Sequence, residues 1–144
     1  MYEDYSRQAL PNKRYRELLG SSICAFNSNN AFIIETILRL DDDGRYTWFR
    51  LIDMESGKVL NDALKPIKNL CGEHIYQQFG ELVKMRNRII HSFQITDSSG
   101  EQILATKEQE KNGNRQFHIT EKYLLDFIEK NEALSDCLHQ LRGC

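Results

Sequence analysis

A chain of 144 residues, 40% hydrophobic and 28% charged, is large enough for one domain with its own core and too apolar to remain disordered. Its net charge of −2 excludes a general nucleic-acid coat protein, which needs many phosphate contacts, but leaves room for a local basic groove. No apolar run approaches membrane-spanning length, and Met1-Tyr2-Glu3-Asp4 lacks the basic and apolar regions of a signal peptide, so a cytoplasmic location is expected.

Periodicity predicts a first long helix from about Pro11 to Leu40, with Tyr15, Leu19, Ile23, Phe26, Ile33, Ile37 and Leu40 as its apolar stripe. The run Asn27-Ser28-Asn29-Asn30 favours caps and turns, so a kink or break is expected there. Asp41-Asp42-Asp43-Gly44 reads as a stop and turn, and as a solvated loop rather than a hard-cation site. Arg45 to Met54 suits either a short helix (Trp48, Leu51, Ile52) or a strand (Tyr46 to Phe49), ended by Ser56-Gly57. A short helix from about Leu60 to Leu70 follows, with Pro66 implying an early end or kink. Gly72 then separates it from an amphipathic helix from about Glu73 to Phe93.

Beyond this helix the pattern changes. Phe93-Gln94-Ile95-Thr96 alternates, Asp97 to Gly100 turns, and Gln102 to Glu108 reads as a further strand. Asn112-Gly113-Asn114 is the strongest turn signal, after which Arg115 to Ile119 pairs with the preceding strand. Thr120 is an expected N-cap for a last amphipathic helix bearing Tyr123, Leu124, Phe127, Ile128, Leu134, Leu138 and Leu141. The predicted fold is mainly α: a single domain spanning 1–144, a helical bundle with a small antiparallel β-hairpin inserted at about 94–119. Cys24, Cys71, Cys137 and Cys144 are scattered, and Cys71 with His74 supplies only two ligands. Structural, reduced thiols and no metal site are expected.

The chemistry concentrates in Arg86-Asn87-Arg88-Ile89-Ile90-His91. The apolar stripe Ile75, Phe79, Leu82, Val83, Ile89, Ile90 and Phe93 carries Arg86 on its line, and a cation there must find a partner or open onto a cleft. Asn87 and His91 are four apart and stack on an adjacent face, so guanidinium, amide and imidazole are expected to border one groove able to take a phosphate. An arginine followed four to six residues later by a histidine arises by chance about once in a chain of this composition. The asparagine directly after the arginine, the helix-end location and the interrupted stripe are what give the segment weight. The competing structural reading pairs Arg86 with a carboxylate such as Glu35 or Glu81 and uses His91 to cap the helix. Arg88 and Lys84 read as solvated charges, with auxiliary RNA contact as their functional alternative. Lys107, Lys111 and Arg115 are interleaved with Glu108 and Glu110 and read as a solvated hairpin rather than a basic finger.

With these details, the segment resembles the signature of the HEPN superfamily (higher eukaryotes and prokaryotes nucleotide-binding domains): an arginine, usually followed by a polar residue, and a histidine four to six positions on. The resemblance implies a homodimer whose motif helices face each other across a cleft. It also implies a metal-independent endoribonuclease without cofactor, acting as a toxin or defence effector, in the toxin case restrained by an inhibitory antitoxin partner. His91 would serve in acid–base chemistry, Arg86 would neutralise the phosphate, Asn87 would orient the site, and Arg88 and Lys84 would contact RNA. The products would be a 2′,3′-cyclic phosphate and a 5′-hydroxyl. The alternative is a catalytically silent HEPN-like module binding a nucleotide, an RNA or a protein partner. A plain helical dimerisation domain is a third reading.

Overall fold

The computed structural model describes residues 2–143. Helix α1 (Lys13–Leu40) starts at Asn12, whose side chain accepts from the Tyr15 N–H at 2.8 Å. Pro11 lies one residue before this cap rather than inside the first turn. The expected break at Asn27–Asn30 does not occur. Asn29 faces α6 (Glu121–Arg142), and its amide donates to the main-chain oxygen of Asn131 at 2.7 Å and to Asn131 Oδ1 at 2.9 Å. With its polar group satisfied across the interface, Asn29 no longer competes for its own backbone, and the helix runs through.

Asp41 to Gly44 forms the expected turn, with Gly44 at φ 63°. Asp41 and Asp43 lie 3.7 and 3.8 Å from Arg45. The ambiguous segment is helical: α2 (Trp48–Asp53) is capped by Thr47, whose hydroxyl accepts from the Arg50 N–H. Ser56-Gly57 does not end an element but opens one. From Ser56 the chain passes through α3 (Ser56–Lys58), a π-helical turn (Val59–Leu64), a 3₁₀ turn (Lys65–Ile67) and α4 (Lys68–Cys71). Pro66 explains the irregularity. It has no N–H for the carbonyl four residues back, and that carbonyl, of Asp62, instead accepts the Tyr46 hydroxyl at 2.9 Å. Gly72, at φ 102°, makes the corner into α5 (Glu73–Ile90).

Helix α5 stops three residues before the predicted end. The His91 N–H still reaches the Asn87 carbonyl at 2.9 Å, and Ser92 Oγ closes on the Ile89 carbonyl. Phe93, however, pairs with Ala105 and enters a sheet. The predicted hairpin is a three-stranded antiparallel meander, β1 (Phe93–Thr96), β2 (Gln102–Lys107) and β3 (Gln116–Ile119), in that order. Asn112-Gly113-Asn114 does not make a tight two-residue turn. It closes a longer connection containing a 3₁₀ turn (Glu110–Asn112), with Gly113 at φ 96° and Asn114 at φ 56°. Thr120 caps α6 as expected, accepting from the Tyr123 N–H.

The core lies where α1, α5 and α6 meet. The Phe26 ring lies near-parallel to Phe79 and Phe127, with each centroid 6.1 Å away, and Ile33, Leu82, Leu124 and Leu134 are buried in the same core. The buried Tyr15 fastens the sheet to this bundle. Its hydroxyl donates to the Ile119 carbonyl at 2.5 Å and accepts from the Leu104 N–H at 3.1 Å, bridging the last residue pair of the β2–β3 ladder. Among the described residues no helix is long and apolar enough to cross a membrane.

Candidate functional site

The second turn of α5 from its C-terminus directs Arg86 across the end of the aromatic core. Its guanidinium sits 5.6 Å from the Phe26 ring centroid and donates to Asn87 Oδ1 at 3.4 Å. The side chain is half-buried, and among the described residues it forms no ion pair. Both carboxylates offered by the structural reading are committed elsewhere: Glu35 to Arg142 at 3.4 Å and Glu81 to Lys130 at 2.8 Å. Arg86 instead opens onto a cleft of about 410 Å³ between α1 and the α2–α3 junction, lined also by Asn27, Asn30, Glu55 and Ser56. A cation set against an aromatic ring, with no carboxylate at ion-pair distance among the described residues although Glu55 shares the cleft, is suited to receive an anionic oxygen pair, because a guanidinium matches such a group with two parallel hydrogen bonds.

The residues surrounding Arg86 were not among those singled out from sequence. Asn27 and Asn30 lie three apart and so share one helical face, and the buried Ser56 donates its hydroxyl to Asn30 Oδ1 at 3.3 Å. Among the described residues the Asn30 NH₂ has no hydrogen-bond partner, and Asn30 lines the cleft. The signal for this wall was the polar run Asn27–Asn30 itself, legible as a helix breaker but equally legible as the lining of a cleft.

The other motif residues diverge from Arg86. Asn87, Arg88 and Lys84 line a separate cavity of about 290 Å³ between α5 and the β2–β3 connection, together with Glu108, Lys111 and Phe117. Arg88 is not a freely solvated charge. It is half-buried and donates to the Lys107 main-chain oxygen, tying α5 to β2. Beside it Tyr123, from α6, donates to the Met85 carbonyl at 3.2 Å. Burial pushes the Tyr123 phenol up to about 12, with the Arg88 charge working in the opposite direction.

His91 lines neither cavity. It is the C-cap of α5, as the structural reading held. Its main chain is engaged, the N–H by Asn87 and the carbonyl by Thr106 Oγ1 at 3.2 Å, while the residue itself is exposed. Five residues of helix separate it from Arg86, about 140° around the axis. Within one chain, therefore, Arg86 touches Asn87, but the guanidinium and the imidazole do not open into a common groove. Ile90 and Phe93 flank His91 and are 48% and 47% exposed, while Trp48, Phe49 and Ile52 form a second exposed apolar group, with Ile52 in the lining of the Arg86 cleft.

Among the described residues no group of three or more His, Cys, Asp or Glu is placed to hold a metal ion. Cys71 is buried, which pushes its thiol up and away from a reactive thiolate. Comparison with protein-family models, with curated proteins and with solved structures finds no match to this chain.

Proposed function

We propose that this chain is an endoribonuclease of HEPN type, acting as a homodimer in which Arg86 binds the scissile phosphate and His91 moves the protons. The observation that carries the reading is the state of Arg86: half-buried, stacked on Phe26, unpaired among the described residues and open to a polar cleft. A cation kept in that position without an ion-pair partner among the described residues is suited to an anion from outside.

The chemistry follows from what the residues offer. The His91 imidazole, a group that can both take and give a proton, takes the proton of the ribose 2′-hydroxyl. The resulting oxyanion attacks the adjacent phosphorus, and the Arg86 guanidinium neutralises the charge that accumulates on the non-bridging oxygens. The bond to the 5′-oxygen breaks as a second imidazole gives that oxygen a proton, leaving a 2′,3′-cyclic phosphate and a 5′-hydroxyl. Since the nucleophile is the substrate's own hydroxyl, the reaction does not depend on a metal-generated hydroxide.

One chain carries one such histidine, directed away from its own arginine, so a second copy supplies the missing half. The exposed Ile90 and Phe93 beside His91, and Trp48, Phe49 and Ile52 near the cleft, support a dimer that covers these patches. The same divergence of Arg86 and His91 also favours a second reading, a binding module without catalysis, in which the two cavities hold RNA or nucleotide and His91 is only a helix cap.

Mixed cellular RNA incubated with the protein in excess EDTA separates the two. Cleavage by wild type, absent in His91→Ala and Arg86→Ala of confirmed fold and leaving cyclic-phosphate ends, supports the ribonuclease. RNA binding without cleavage by any of the three supports the module. Equal cleavage by all three refutes the assignment of the site.

A further inference from the structure

The cavity between α5 and the β2–β3 connection has a composition that the Arg86 cleft does not share. Lys84, Arg88 and Lys111 converge on it from two elements distant in sequence. Lys84 and Lys111 have no ion pair among the described residues. The one carboxylate in the wall, Glu108, is held by Arg115 at 3.0 Å, so it does not neutralise them. The neighbouring Lys107 is also committed, its ammonium donating to Asn114 Oδ1 at 2.6 Å, and is not part of the lining. The hairpin charges that look balanced in the sequence are thus sorted in three dimensions. Acid and one arginine satisfy each other, and two lysines and the half-buried Arg88 are left facing one space.

Apart from Glu108 the rest of the lining is uncharged. Asn87 contributes an amide, and Phe117, half-buried and covered on one side by Arg115 at 5.8 Å, contributes an aromatic edge. Cations set beside amide and aromatic groups match the two parts of a nucleotide: phosphate oxygens that take charge-assisted hydrogen bonds, and a base that packs on an apolar wall while pairing its edge with amides. A volume of about 290 Å³ lies at the lower end of small-ligand pockets, room for one nucleotide unit.

We infer that this cavity is a nucleotide-binding site distinct from the Arg86 cleft, taking one phosphate-bearing nucleotide either free in solution or as one residue of an RNA strand. Only the RNA alternative rests on the ribonuclease reading.

The test titrates the full chain at low salt with two probes, ADP and a short 2′-O-methylated RNA, which cannot form a cyclic phosphate. The proteins compared are wild type, Lys84→Gln/Lys111→Gln and Arg86→Met, with thermal unfolding confirming their folds. The expected result is a loss of about tenfold or more in affinity for at least one probe in the double variant, because two charge-assisted contacts are removed. Where RNA is that probe, its salt dependence also becomes shallower by about one unit of slope per lysine. Loss for ADP identifies a free-nucleotide site, and loss for RNA alone identifies a station on the strand's path. Arg86→Met is expected to leave ADP affinity within about twofold of wild type, as a separate site requires. Affinities for both probes unchanged in the double variant, or no binding of either probe by wild type, overturn the inference. A protein that binds ADP through these lysines but cleaves nothing refutes the ribonuclease and leaves the cavity assigned. Cleavage that depends on Arg86 with probe affinity indifferent to the lysines does the reverse.

Discussion

Replacing Arg86 with methionine tests whether the guanidinium serves the fold or a ligand. Methionine keeps an unbranched apolar stem against Phe26 and removes the charge. What the fold loses is the cation–π contact at 5.6 Å, worth about 0.5–1 kcal/mol at a site open to solvent, together with a long 3.4 Å bond to Asn87 Oδ1. What it gains is relief from holding a half-buried charge that has no ion-pair partner among the described residues. These oppose each other, so Arg86→Met should change stability by no more than about 1 kcal/mol. Had the arginine been the buried partner of Glu35 or Glu81, the same substitution would strand a carboxylate and cost about 3–5 kcal/mol. Urea unfolding followed by circular dichroism resolves the two cases, provided the slope with denaturant is unchanged. The variant should unfold near the wild-type midpoint while losing RNA cleavage. A loss above about 3 kcal/mol would make the guanidinium a structural strut and remove the observation on which the proposed function rests.

Tyr15→Phe keeps the ring but takes away the hydroxyl that bridges Leu104 and Ile119. It should cost about 1–3 kcal/mol, since two main-chain groups lose their partner and no cavity forms to admit water. The melting temperature should fall by roughly 2–4 °C per kcal/mol for a chain of this size, and an unchanged melting temperature would refute the bridge. Tyr123 gives a pH signature. Its phenol is pushed from the ordinary 10.0 up to about 12 by burial, so both folded and unfolded chains hold the proton below pH 10. Between these values only the unfolded chain releases it, and stability should fall as pH rises from about 10 to 12. Phenolate absorbance compared with Tyr123→Phe measures this directly, and a Tyr123 transition near pH 10 would refute it.

Periodicity and caps were enough to find the frame. The stripes of α1, α5 and α6, the corner at Gly72, the cap at Thr120 and three alternating segments after the motif are local features, set by spacing and by single residues with strong backbone preferences. The misread positions share one physical cause, a polar or backbone group whose partner is distant in sequence. Asn29 finds Asn131, so α1 does not break. The Asp62 carbonyl, vacated by Pro66, finds Tyr46, so the helical run passes through a π turn instead of ending. Phe93 finds Ala105, so α5 stops early.

The site divides along the same line. That Arg86 interrupts an apolar stripe and must be paired or open is a statement about one helix, and it was legible from residue spacing alone. Whether it is paired depends on where Glu35 and Glu81 spend their charges, and those go to Arg142 and Lys130 on α6, which no local pattern encodes. Likewise, interleaved acids and bases in the hairpin cancel on paper. Only the fold decides that Glu108 faces Arg115 while Lys111 faces Lys84 and Arg88 across a cavity. Backbone preference acts over a few residues and can be read along the chain. Pairing of charges and polar groups acts through space, and it is settled only once the helices and sheet have packed.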